Sequence, residues 1–106
     1  MAKEEKPIIY QFPIQETGDE DAKMKNVDPA TLPKFHGLFS KDPDIFMFEF
    51  EVICRTYNYI LDSQKLKLFP STLKDLALIW FMSLEGNNIT TWDQMKQLFV
   101  EKYRYN

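Results

Sequence analysis

Leu73-Lys74-Asp75-Leu76-Ala77-Leu78-Ile79-Trp80-Phe81-Met82-Ser83-Leu84 is the stretch that decides the fold class of this chain. Leu73, Leu76, Ala77, Trp80 and Leu84 recur at three- and four-residue steps, the spacing that sets side chains on one face of a helix. Only Lys74, Asp75 and Ser83 are polar. A helix this apolar on nearly all sides requires cover from several neighbours or from another subunit. The stretch predicts a packed helical domain with Leu73 to Leu84 as its central helix.

Working outward, the flanks carry helix punctuation. Ser71 or Thr72 is expected to cap the central helix, and Gly86, Asn87 and Asn88 to end it. Thr90 or Thr91 then caps a last helix with Asp93 in its first turn and Trp92, Met95, Phe99 and Tyr103 on one face. Upstream, a helix starting at Asp62 or Ser63 carries Leu66 and Phe69 before Pro70 interrupts it. The first long helix begins at Asp42, a good N-cap, with Pro43 at the first helical position and Asp44 favourable to the helix dipole. Phe46, Phe50, Ile53 and Tyr57 form its inward stripe. Ile45, Phe48 and Val52 are read as lying beside that stripe and widening it, which leaves room for a thick core or a partner surface. The sum is an all-α bundle of about four main helices.

Ahead of the helices, residues 27 to 41 are spaced by Pro29, Pro33 and Gly37, with Leu32, Phe35, Leu38 and Phe39 between. They read as an extended strap packed across the bundle. Residues 1 to 31 read as an N-terminal arm, and residues 32 to 106 as the helical lobe. Within the arm, residues 8 to 14 alternate as a short edge strand bracketed by Pro7 and Pro13. Residues 15 to 26 lose apolar content and gather Glu16, Asp19, Glu20 and Asp21, an acidic linker rather than a calcium loop. An unpaired strand needs a partner, so the arm is expected to dock on its own lobe or on a neighbouring one.

Composition bounds the function. With 106 residues, 44% hydrophobic and 15% aromatic, the chain is one domain with enough apolar matter for a core without metal or disulfide. Cys54 is the sole cysteine and sits in a helical apolar pattern, as a buried structural thiol does. Residues 1 to 31 hold seven acids and four bases, and residues 32 to 106 hold nine of each. A lobe neutral in sum lacks the basic surface of a nucleic-acid binder. No run reaches the roughly 20 apolar residues of a membrane span, and a soluble cytoplasmic chain is expected.

Catalytic patterns are missing. His36 is the only histidine, so neither a histidine metal cluster nor a triad with a second imidazole can be assembled. No phosphate loop, nucleophile elbow or zinc-binding pair occurs. Glu16-Thr17-Gly18 has the wrong carboxylate for an aspartic-protease triplet. Glu49 and Glu51, two apart on a helix, cannot face one another. The sequon at Asn88 to Thr90 is read as a chance match, since no signal peptide is expected to deliver the chain to glycosylation. No enzyme activity and no cofactor or metal is expected.

The ordered set Pro33-Lys34-Phe35-His36-Gly37, Asp42-Pro43, Lys65-Leu66-Lys67-Leu68-Phe69-Pro70, Leu73-Lys74-Asp75-Leu76-Ala77, Trp80-Phe81 and Thr91-Trp92 with Phe99 and Tyr103 resembles the Gag capsid region of Gypsy-type long-terminal-repeat retrotransposons, the plant branch above all. The likeness covers about residues 27 to 106. It implies a retroviral-capsid-like N-terminal lobe, a structural module whose copies self-associate into a virus-like particle. A Gag-derived adaptor that binds a host peptide is the alternative. On this reading the core comprises Phe35, Phe46, Phe50, Ile53, Leu66, Phe69, Leu73, Leu76, Ala77, Trp80, Leu84, Trp92 and Phe99. The assembly or peptide-docking surface is expected at Ile8, Tyr10, Phe12, Phe48, Phe81 and Tyr103. The partners implied are other Gag copies, with no membrane. The family's second lobe and zinc knuckle have no counterpart in these residues, so the chain reads as a fragment and direct nucleic-acid binding is not expected of it.

Overall fold

Asp42 sets the first long helix in place. Its carboxylate accepts the backbone N–H groups of Asp44 at 2.7 Å and Ile45 at 3.4 Å, with Pro43 opening the helix. The computed structural model describes residues 12–15, 26–37, 41–86 and 88–104. Its helices are α1 (Pro43–Thr56), α2 (Asp62–Leu68), α3 (Asp75–Met82) and α4 (Trp92–Arg104), with 3-10 turns at Pro29–Thr31 and Phe69–Thr72. The domain is all-α, and α4 packs against both α1 and α2.

Each helix boundary has a chemical cause. α1 closes on Asn58, whose φ of 62° is left-handed. There the N–H of Asn58 reaches the Arg55 carbonyl and that of Tyr59 reaches the Cys54 carbonyl at 2.7 Å, satisfying two last-turn acceptors in a Schellman closure. At α4, Thr91 and Gln94 form a reciprocal capping box. The Gln94 N–H donates to Thr91 Oγ1, and Gln94 Oε1 accepts the Thr91 N–H. The Asp62 carboxylate adds a bond from the Trp92 N–H at 3.0 Å, so the start of α2 also secures the start of α4.

The central helix is shorter than Leu73 to Leu84, and its start differs from expectation. Ser71 and Thr72 donate their hydroxyls backward, to the carbonyls of Leu68 and Phe69, and so close the turn after α2 instead of capping α3. Leu73 is extended and pairs with Phe35 in an isolated parallel bridge. Phe35 N–H donates to the Thr72 carbonyl at 2.8 Å, and Lys74 N–H donates to the Phe35 carbonyl at 2.9 Å. The helix itself begins at Asp75, where the strap carbonyl of His36 accepts the Ala77 N–H. Gly37, at φ 107°, lets the strap cross α3 at backbone level; a Cβ there would lie 3.0 Å from the Leu76 Cβ and 3.2 Å from the Ala77 nitrogen.

The core is an aromatic cluster centred on Phe99, which is fully buried. Its ring centroid lies 4.8 Å from Phe35, 5.1 Å from Tyr103, 5.4 Å from Phe46, 5.7 Å from Phe69 and 6.2 Å from Trp80. Strap, α1, the turn after α2, α3 and α4 thus meet at one side chain. Phe50 and Trp92 extend the cluster through Phe69. Phe35, Phe46, Phe50, Leu66, Phe69, Leu73, Ala77, Trp92 and Phe99 are all buried, while Ile53, Trp80 and Leu84 are half-buried. Leu76 belongs elsewhere: it is 49% exposed. Its place in the core is taken by Phe81, because α3 turns its Ala77–Phe81 line inward once the strap has fixed the first turn.

The end of the arm is seated on the lobe. Ile14 and Ile89 form a parallel bridge, with Ile89 N–H donating to the Pro13 carbonyl and Gln15 N–H to the Ile89 carbonyl at 2.8 Å. Both isoleucines are buried, and the Phe12 ring meets Phe81 edge-on at 5.5 Å. The strand expected at residues 8 to 14 otherwise lies outside the described residues, as does most of the acidic linker.

Candidate assembly surface

What the lobe offers a partner follows from the apolar side chains its core does not use. On α1, Phe46, Met47, Phe50 and Cys54 face inward. At 100° per residue, Ile45, Phe48 and Val52 lie on the opposite side of the cylinder. They are exposed, Phe48 by 68%. They therefore do not widen the core stripe, the role expected of them; they form a separate outward ridge. Thr31 and Pro33 of the strap stand across a groove from this ridge, together with Lys41, Glu49 and Ile53. Lys41 Nζ contacts Glu49 Oε1 at 2.9 Å along that side.

The remaining surface residues expected from the sequence are distributed differently. Phe81 is only 2% exposed and Tyr103 is half-buried against Phe35, Trp80 and Phe99, so neither is presented to a partner. Burial raises the Tyr103 hydroxyl pKa above its ordinary value. Phe12 is exposed at its outer side while its edge rests on Phe81. Ile8 and Tyr10 lie outside the described residues. A second apolar area, unforeseen in detail, is the outer side of α3, where Leu76, Leu78, Ile79 and Met82 are exposed.

Polar side chains serve as fasteners. Glu51 Oε2 accepts the Trp92 indole N–H and the Lys96 ammonium, both at 3.0 Å, which ties α1 to α4. Partial burial raises the Glu51 pKa, but these two donors outweigh it and hold the carboxyl below its ordinary value. Arg104 grips both oxygens of Asp44, at 2.6 and 3.2 Å, joining the end of α4 to the start of α1 and lowering the Asp44 pKa through those hydrogen bonds. His36 Nδ1 lies 2.6 Å from Asp75 Oδ2 beside the strap crossing. Burial pushes the Cys54 thiol up to about 11, the state of an inert packing residue.

Among the described residues, no group of three or more His, Cys, Asp or Glu side chains is arranged to hold a metal. No buried side-chain polar atom there is without a hydrogen-bond partner. Asp42, Asp44, Glu51 and Asp62 act in capping and bracing, and the outward ridge of α1 adds an apolar contact surface. Residues 29–104 match the family model for the N-terminal capsid-like domain of the retrotransposon-derived protein PEG10. No curated protein and no solved structure matches the chain.

Proposed function

Because this chain belongs to the family of the PEG10 N-terminal capsid-like domain, we propose that it is a structural Gag module whose copies self-associate into the shell of a virus-like particle. Its motif order, from Pro33-Lys34-Phe35 to Thr91-Trp92, supports an origin in Gypsy-type elements of the plant branch. The partners are other copies of the chain. Direct nucleic-acid contact, a membrane role and catalysis are not part of this reading, and its place of action is the cytoplasm. Among the described residues no helix is long and apolar enough to cross a membrane.

The family match carries the proposal, and the outward ridge of α1 supports it. A lobe that leaves an apolar ridge of this kind open has a surface suited to association. Each contact is weak alone and gains strength when many copies are arrayed, as in a lattice. Sedimentation of the protein under high salt or crowding tests this. Large, rapidly sedimenting species are expected, whereas a persistent monomer that captures a host peptide would replace the shell reading with an adaptor.

A further inference from the structure

The ridge on α1 has the shape and charge to recognise itself. We propose that the outward face of α1 is a two-fold contact between copies of this chain, with the Ile45–Phe48–Val52 ridges packed in antiparallel register. This rests on the assembly reading and names the surface it would use.

Three features choose a second copy as the occupant. The first is shape. On one side of the ridge a groove of about 450 Å³ opens toward Thr31 and Pro33, and on the other the surface falls away between Phe48, Val52, Glu51 and Arg55 of α1 itself. A ridge beside a groove is a form suited to helix–helix packing, and a two-fold axis lets each copy supply both parts.

The second feature is charge. Asp44 and Arg55 are eleven residues apart, about three turns, and so lie along the same flank of the ridge. An antiparallel partner centred near Phe48 and Glu49 brings Arg55 of the second copy to within two residues, about 3 Å of rise, of Asp44 of the first, inside the reach of an arginine side chain. The reciprocal pair forms at the other end. Arg55 is exposed and has no ion-pair partner among the described residues. Asp44, although held by Arg104, keeps half of its side-chain surface open. On the opposite flank the two Glu49 side chains approach one another, and each already carries the Lys41 ammonium.

The third feature is area. A single exposed helix face falls short of the roughly 1,200 Å² that specific stable interfaces bury. Such a contact leaves the free chain monomeric when dilute and becomes effective among tethered neighbours.

The test uses the full chain with cysteines placed on the ridge. Ile45→Cys protein is mixed with Val52→Cys protein at high concentration and oxidised, and Cys54 stays out of the reaction because it is buried. The mixed 45–52 product should exceed both homodimers several-fold. Adding Arg55→Asp to one partner should reduce the yield, and Asp44→Arg in the other should restore it. Random pairing, or no product, overturns the antiparallel contact.

Phe48→Glu separates this inference from the assembly reading. If it keeps its melting temperature and loses association, the ridge is the contact. If it assembles as well as wild type, the ridge serves another protein and the proposal falls while the shell reading stands. If the cross-link forms but no conditions produce particles, the pairing survives and the shell reading fails.

Discussion

Replacing Phe99 with alanine is the most demanding test of the architecture. Phe99 is fully buried and touches five aromatic rings drawn from the strap, α1, the turn after α2, α3 and α4. Truncating a buried phenylalanine costs about 3–5 kcal/mol through lost transfer energy and the cavity left behind. The upper end applies here, because aromatic pairs contribute about 0.5–1.5 kcal/mol each beyond their area and several break at once. Against a total stability of about 5–15 kcal/mol, that removes a large share. At about 4–8 °C per kcal/mol for a domain of this size, the midpoint should fall by about 20–40 °C. Thermal and urea unfolding followed by circular dichroism measure it. Phe48→Ala is the control, since an exposed substitution should stay within about 0.5 kcal/mol. Equal losses for the two variants, or a drop of only a few degrees for Phe99→Ala, would refute the assignment of core and ridge.

Gly37→Ala should destabilise by about 1–3 kcal/mol, since a Cβ there is strained at positive φ and crowds the first turn of α3; a neutral result in chemical denaturation would remove the strap crossing from the account. Glu51 makes a pH-dependent contribution of definite sign. Its folded pKa lies below the ordinary 4.5, so its stabilisation is complete above that value and is lost as pH falls through the lower folded value. Glu51→Gln should flatten the unfolding-midpoint profile below about pH 4.5 and leave its shape at neutral pH unchanged. Cys54 should resist a thiol reagent at pH 8 until the chain is unfolded. In hydrogen exchange, the amides of Gln15 and Ile89 should be protected in the dilute monomer, because both are bonded across the Ile14–Ile89 bridge within one chain.

The parts of the fold legible in the sequence are those with local chemical causes. Asp42-Pro43, Phe69-Pro70 and the Thr91 cap each act within a few residues, and each boundary lies where those residues put it. The start of α3 was not legible, because the hydroxyls of Ser71 and Thr72 can bond backward or forward and only the strap decides between them. Nor does its buried face follow from periodicity: a helix of Leu, Ala, Ile, Trp, Phe and Met has no polar side to set the phase, and Leu76 and Phe81 exchange roles at no cost to the pattern. The helical angle of the α1 ridge was legible, since 100° per residue sets it well off the Phe46–Phe50–Ile53–Tyr57 stripe, but its exposure was not. Ile45, Phe48 and Val52 are as apolar as the core stripe, and hydrophobicity alone does not tell a core from an interface. The Glu51–Trp92–Lys96 and Asp62–Trp92 ties join residues thirty to forty-five apart and carry no local signature.

The central claim is that this lobe builds a lattice from copies of itself. The most direct measurement anchors the chain through a terminal histidine tag to a nickel-lipid monolayer at full coverage and images the layer by electron microscopy. Crowding in two dimensions supplies the effective concentration that dilute solution lacks. The account predicts a periodic array with sharp diffraction. A dense layer without order at any coverage or salt concentration would contradict it.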